Sequence, residues 1–143
     1  MRGYDAAKAT GGRKRRLLVD TPGLLIACVV RAADIQDYDG CEAVPDKAKA
    51  RFPGLKTTWA DSRYGCPQAP RCVLIVYGWV LEVVRRAAGT VGFVVLHRRW
   101  VVERTFGWFV YFRRLSKDYE RDPRVSETRI YVAMAHLMVR RLA

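Results

Sequence analysis

The chain is poor in the residues that build compact metal sites. It has two histidines, His97 and His136, and four cysteines, Cys28, Cys41, Cys66 and Cys72. No two cysteines form a CxxC pair, which argues against a zinc centre. Their spacing also lacks the density of a disulfide scaffold. Cys28 falls in an apolar run and reads as plain core. Long apolar runs are missing too: the longest, Leu24 to Val30, is far too short to cross a bilayer. The opening residues, MRGYDAAKATGGRKRR, are polar and basic and do not form a signal peptide. The expected compartment is reducing and cytoplasmic, with no membrane partner.

Acidic residues are scarce as well. Fourteen aspartates and glutamates face 26 lysines and arginines, a formal net charge of +12, and the sequence pI is about 10.1. That balance favours a polyanionic partner. Nucleic acid stands ahead of an acidic membrane surface, and a merely basic soluble protein is the plain alternative. Half of the chain is hydrophobic, so it is not composed like a disordered chain, and 143 residues suffice for one modest domain with a core.

Periodicity gives a coarse map. Leu17 to Asp20 and Leu24 to Val30 read as a hairpin, with Pro22 and Gly23 placed as in a type II turn. The second strand is uniformly apolar, so it is expected to be buried on both faces. A helix capped by Asp37 or Asp39 runs toward Lys49, weakened by Pro45 and stopped at Phe52-Pro53-Gly54. Leu55 to Ala60 reads as a third strand with Asp61 at its C-terminal end, a place where functional side chains project in layered α/β folds. Residues 62–78, with Pro67 and Pro70, show no clean helix. Val80 to Val84 is a fourth strand, Arg85 to Thr90 a basic loop, and Phe93 to Leu96 reads as extended. From Arg98 the period becomes helical, with Val102, Phe106, Phe109 and Val110 on one stripe and Arg99, Glu103 and Gly107 on another. A last helix opens near Asp122-Pro123 and carries Ile130, Met134, Leu137 and Met138, with Arg140 and Arg141 in its last turn.

Two acids stand out: Asp61 at a strand end and Glu103 in mid-helix. Arg99 lies one turn before Glu103 on the same face, and Arg114 near it. Such a carboxylate is either one half of an ordinary i,i+4 ion pair, worth a few tenths of a kcal/mol, or a metal ligand whose arginines hold phosphates. Spacing alone favours the ion pair. The clustered tryptophans and phenylalanines between Trp100 and Phe109 read as core packing ahead of base stacking.

Longer stretches carry more. RRWVVERTFGW (Arg98 to Trp108) followed by RRLSKDYE (Arg113 to Glu120) resembles the insertion-sequence DDE transposases of the IS-five group. So do GYDAAK (Gly3 to Lys8), GRKRRLLVDTPGLL (Gly12 to Leu25), AADIQDYDG (Ala32 to Gly40), WADSRY (Trp59 to Tyr64), WVLEVVRR (Trp79 to Arg86) and GFVVLHRRW (Gly92 to Trp100). The resemblance runs nearly end to end and in the family's order. It implies a ribonuclease-H-like α/β fold, a mixed sheet flanked by helices, and three acids that bind two divalent cations, here Mg2+. Asp61 matches the second acid and Glu103 the third, and both are the implied catalytic and metal-binding residues. Arg99 matches the arginine of the signature around that glutamate. The family's tyrosine ahead of that arginine falls at Leu96 and is absent. Arg99, Arg104, Arg13, Lys14, Arg113 and Arg114 are the implied DNA-binding residues, and transposon ends the implied partner.

The family's first acid lies upstream of GYDAAK. The resemblance therefore implies a single partial catalytic domain over residues 1–143. Its first strand, first aspartate and N-terminal DNA-binding region are missing, and it is inactive alone. Asp5 and Asp20 match other family positions, and Asp20 reads as a turn acid bonded to its own turn. Partners then include DNA, a further copy of the chain, or the product of an upstream reading frame. The alternative is a basic DNA-binding remnant or regulator without catalysis.

Overall fold

In the computed structural model, residues 2–6, 9–35, 43–89, 91–92, 96 and 98–142 are described. A long antiparallel hairpin organises the chain. Strand β2 (Thr10–Val19) pairs with β3 (Leu25–Ala32), from Arg13 opposite Ala32 to Leu17 opposite Cys28, with a register shift between Leu18 and Val19. A short strand β1 (Gly3–Asp5) pairs with the start of β2, Gly3 opposite Gly12 and Asp5 opposite Thr10. The sheet order is β1-β2-β3.

The hairpin forms where the sequence places it, but its turn closes one residue earlier than expected. The amide of Gly23 donates to the carbonyl of Asp20 at 3.0 Å, so Thr21 and Pro22 are the central residues and Gly23 follows them with φ +89°. Asp20 bonds its own turn as expected: its Oδ1 accepts from the amide of Leu24 at 2.6 Å. A side chain at Gly23 would meet Thr105 Oγ1 at 3.0 Å and Trp108 at 3.1 Å, so the turn nests directly against a helix.

Both faces of β3 are covered, as its continuous apolar run predicts. Ala27 and Val29 pack with Leu18, Val44, Ala48, Val73 and Trp79 on one side. Cys28 and Val30 pack with Leu17, Phe109, Leu115, Ile130 and Met134 on the other. The first layer is built from α1 (Ala43–Arg51) and α2 (Gln68–Tyr77), the second from α3 (Trp100–Val110) and α4 (Pro123–Leu142). The result is a mixed α/β architecture with helices flanking the sheet.

A second sheet holds two parallel strands, β4 (Thr57–Ala60) and β5 (Val80–Val83), with Thr57 opposite Val80 and Ala60 opposite Val83. Between them the structure differs from the sequence reading. Residues 62–78 form a 3₁₀ turn at Ser62–Tyr64 and then helix α2, closed by Gly78 at φ +71°. The two prolines that obscured this helix sit at its N-cap (Pro67) and in its first turn (Pro70), where amides have no intrahelical acceptor to lose. Its buried stripe is Ala69, Val73 and Tyr77, and its other face leaves Leu74, Ile75 and Val76 exposed. Val110, expected on the buried stripe of α3, is 67% exposed, because the helix ends there and the chain turns away. Asp122 caps α4, accepting from the amide of Arg124 at 2.9 Å. The proposed caps Asp37 and Asp39, and most of the segment Phe93 to Leu96, lie outside the described residues.

The outer edge of β3 is sealed by side chains. The amide of Cys28 donates to Tyr131 Oη at 3.3 Å and that of Val30 to Glu127 Oε1 at 2.9 Å. Lys47 Nζ donates to the carbonyl of Cys28 at 3.2 Å and to Glu127 Oε2 at 2.5 Å. Burial, with Glu127 nearby, pushes the Cys28 thiol up to about 11, while Cys66 and Cys72 are only partly buried. Alkylation of the folded chain by iodoacetamide at pH 8 is therefore expected to spare Cys28 while Cys66 and Cys72 react. Mass mapping of the modified cysteines checks this, and early labelling of Cys28 would contradict the packed sheet edge.

Candidate metal and nucleic-acid site

Asp61 leaves the C-terminal end of β4 as the cap of the 3₁₀ turn, its Oδ1 accepting from the amide of Arg63 at 3.0 Å. Glu103 stands on the first turn of α3, where Arg99 Nε lies 3.4 Å from its Oε1. The side chain of Glu103 is 60% exposed, so this pair is solvent-screened and weak. A carboxylate so placed remains able to take a cation. Both acids line one cavity of about 800 Å³, together with Arg63, Arg98 and Arg99. The two acids singled out from sequence, 42 positions apart in the chain, thus share one open site.

The approach to α3 touches β4 and β5 through a cluster that sequence reading missed. Trp59 Nε1 donates to Glu82 Oε2 at 2.6 Å, Arg98 Nη1 donates to the same oxygen at 3.3 Å, and the Arg98 guanidinium lies 4.3 Å from the centre of the Trp59 ring. The available signal was the alternation of strand β5, which puts Glu82 directly opposite Trp59.

The basic residues divide sharply. On β2 successive side chains point to opposite faces. Arg13 donates to Asp118 Oδ2 at 2.6 Å and to the carbonyl of Glu120, and its side chain is 1% exposed. Arg15 donates to the carbonyls of Leu115 at 2.6 Å and Lys117 at 3.0 Å, and burial holds its guanidinium below the usual arginine value. Lys14 pairs with Asp5 at 3.1 Å and donates to the carbonyl of Ile35 at 3.3 Å. A phosphate would have to compete with these carboxylates and carbonyls. Arg104 donates to the carbonyl of Pro22 at 2.7 Å and lies 4.4 Å and 5.0 Å from the rings of Trp100 and Trp108, fastening α3 to the hairpin turn. Arg114 pairs with Glu120 at 2.8 Å, and Arg129 reaches the same oxygen at 2.9 Å. Desolvation pushes the Glu120 carboxyl up, but the two guanidinium bonds outweigh it and hold the group below its usual range. Arg113 is exposed.

The donor set is short for a pair of cations. Among the described residues no three aspartate, glutamate, histidine or cysteine side chains gather as a metal-binding group. Asp5 and Asp118 also line the cavity, but each is held by a basic residue. Two hard carboxylate oxygens from Asp61 and Glu103 suit one cation of the magnesium class. A pair of cations about 3.5–4 Å apart needs a further shared ligand, so no chemical step through such a pair follows from these residues. No described helix is long and apolar enough to cross a membrane.

No curated protein and no solved structure matches the chain. A family model described as the transposase DDE domain matches residues 1–138. The mixed α/β fold, a sheet with flanking helices, is in keeping with that match, and the chain belongs to the transposase DDE domain family.

Proposed function

We propose that the chain is the C-terminal part of the catalytic domain of an IS-five-group transposase, a ribonuclease-H-like unit acting in metal-dependent cleavage and transfer of DNA strands. The observation that carries this reading is the convergence of Asp61 and Glu103 on one cavity rimmed by arginines. In this reading the two carboxylates hold Mg2+. Arg99 and Arg113, with Arg104 and Arg114 at the margins, steer the DNA backbone of the transposon ends. Arg13 and Lys14 contribute mainly to the positive field, since their heads are held by Asp118 and Asp5. Asp61 and Glu103 do not by themselves hold a pair of cations, so cleavage needs a further carboxylate ligand. The chain works with a further copy or with the product of an upstream frame, in the cytoplasm at the nucleoid.

A second reading, a basic DNA-binding remnant or regulator without catalysis, is favoured by the +12 charge. The two separate in the test tube. Metal-dependent nicking by the completed assembly supports the first, while metal-indifferent DNA binding with no nicking under any completion supports the second.

Both readings share one expectation. Non-specific DNA affinity should fall steeply with salt, by about 0.9 in the slope of log K against log salt for each phosphate neutralised. Arg113→Ala is expected to reduce that slope by about one such step. Arg13→Gln, whose guanidinium is inside the fold, is expected to leave it unchanged while lowering stability. Fluorescence anisotropy of a labelled duplex at several salt concentrations reads both. A salt-independent affinity would count against a phosphate-led interface.

A further inference from the structure

Helix α4 carries apolar residues on two opposite faces. On one, Ile130, Ala133 and Met134 are buried among Cys28, Val30 and Phe109. On the other, Val125, Thr128, Val132, Ala135, Val139 and Leu142 are all exposed. Their spacing alternates three and four residues, the 3.5-residue repeat of a coiled-coil seam, with valine at every first position. Over this length a straight helix drifts about 50° from that repeat, so the six stay on one face. Val132 is 64% exposed and Val139 65%. Single exposed valines are ordinary, but a continuous stripe on a helix that is already folded marks a contact surface.

The stripe matches itself in one orientation. Let a second copy run antiparallel, with the pair centred between Ala133 and Met134. Val125 then faces Leu142 of the second copy, Thr128 faces Val139 and Val132 faces Ala135. In the central layers a larger side chain meets a smaller one across the seam, as close packing requires. A parallel pair sets valine on valine and alanine on alanine, crowding some layers and leaving gaps in others. Charge selects the same orientation. Parallel pairing brings Arg124 of one copy against Arg129 of the other, five residues on, at the positions that flank the seam. Antiparallel pairing instead sets the basic last turn, Arg140 and Arg141, beside the opening turn of the other helix, where Asp122 is the cap. The two helix dipoles then oppose as well. The one acid within α4, Glu127, is taken up by Lys47 and the amide of Val30, so no carboxylate of the helix stands on the exposed face.

We propose that α4 is a dimerisation helix: two copies of the chain pack antiparallel along this stripe, about a twofold axis. The contact is isologous and closes at two copies. A seam of about five turns is short for an isolated coiled coil. Here α4 is already ordered by its packing on the sheet, so association does not carry the cost of folding a helix. The contact lies at the low end of specific interfaces, and its dissociation constant is expected to be on the order of 10 μM. The net charge of +12 opposes association at low salt, so dimerisation strengthens as salt rises, the reverse of DNA binding. The inference adds a surface to the proposed function and does not rest on it. Helix α4 carries neither Asp61 nor Glu103, so dimerisation and cleavage stand or fall separately.

The test is sedimentation velocity on the full chain from about 1 to about 300 μM, in about 0.3 M salt to screen the net charge. The expected result is a monomer–dimer equilibrium. Val132→Glu is expected to raise the dissociation constant at least about tenfold. Because Val132 is exposed, the same change should leave the urea midpoint of the dilute chain unmoved, which separates a lost contact from a damaged fold. Ala135→Lys should weaken the dimer in the same way. Mixing the two variants reads the orientation. In the antiparallel register the new carboxylate faces the new ammonium across the seam, and the mixture forms a heterodimer where neither variant pairs with itself. In a parallel pair the two charges stand in different layers, and mixing restores nothing. A chain that stays monomeric through that concentration range overturns the proposal, and so does a dimer that Val132→Glu leaves intact. Mixed variants no more dimeric than either alone overturn the antiparallel register. A chain that remains monomeric yet binds a synthetic acidic amphipathic helix, and loses it on Val132→Lys, assigns the stripe to an acidic partner and overturns the second copy as its occupant.

Discussion

Replacing Asp118 with alanine is expected to destabilise the chain by about 3 kcal/mol. Asp118 lies 2.6 Å from Arg13 Nε, and the Arg13 side chain is 1% exposed against 18% for its partner. Asp118 also accepts from Ser126 Oγ at 3.0 Å, tying the loop before α4 to the body of β2. Removing the acid strands a guanidinium in a site where water does not reach it, and it is this uncompensated charge, more than the lost attraction, that costs stability. The carbonyl of Glu120 remains as an acceptor, but a carbonyl dipole cannot balance a full charge. Urea unfolding followed by circular dichroism should show the midpoint move down by more than 1 M, given the slope of 1–3 kcal/mol per molar typical of small domains. The double replacement Arg13→Met with Asp118→Leu should recover most of the loss, because an apolar pair of similar volume has no charge to desolvate. A drop below about 1 kcal/mol for Asp118→Ala would mean that solvent screens the pair as at an open surface.

That expectation shows where sequence reading of this chain stops. The run Arg13-Lys14-Arg15-Arg16 looks like a basic patch, and composition invites a phosphate for each residue. Strand alternation decides otherwise. Arg13 and Arg15 go to one face and meet Asp118 and the carbonyls of Leu115 and Lys117; Lys14 goes to the other with Arg16 and meets Asp5 and the carbonyl of Ile35. Those partners lie as far as 105 positions away in the chain, and no local pattern announces them. The hairpin, by contrast, was legible because everything that makes it is local: the apolar run of β3, Asp20 bonding its own turn, and Gly23 with positive φ. Helix α2 was hidden because prolines in a first turn look like breakers until the helix start is known. Asp61 and Glu103 were visible only as a strand-end acid and a helix acid. Their sharing of one cavity is a fact of tertiary packing, visible only once the helices are packed on the sheet.

In magnesium, the chain alone is expected to nick or join DNA no faster than buffer does, and the completed assembly is expected to lose about a thousandfold or more of its cleavage rate on Glu103→Gln or Asp61→Asn. In-line attack on phosphorus needs one oxygen activated and another stabilised as it leaves, and two carboxylates cannot hold two cations close together. Each substitution keeps size and hydrogen-bonding shape while removing the charge, so loss of cleavage with unchanged DNA affinity separates a metal-holding role from a merely structural one. Arg99 offers an internal control. Its pair with Glu103 is exposed and weak, so Glu103→Gln should leave the unfolding midpoint nearly unchanged. Relaxation of a supercoiled plasmid at several magnesium concentrations reads the rate. Robust cleavage by the chain alone, abolished by Glu103→Gln, would overturn the argument and require another acid from this chain. Asp5 would then be the candidate, since it lines the cavity, whereas Asp20 is bonded into the hairpin turn and does not line the cavity. Cleavage that survives both substitutions would instead remove Asp61 and Glu103 from the chemistry.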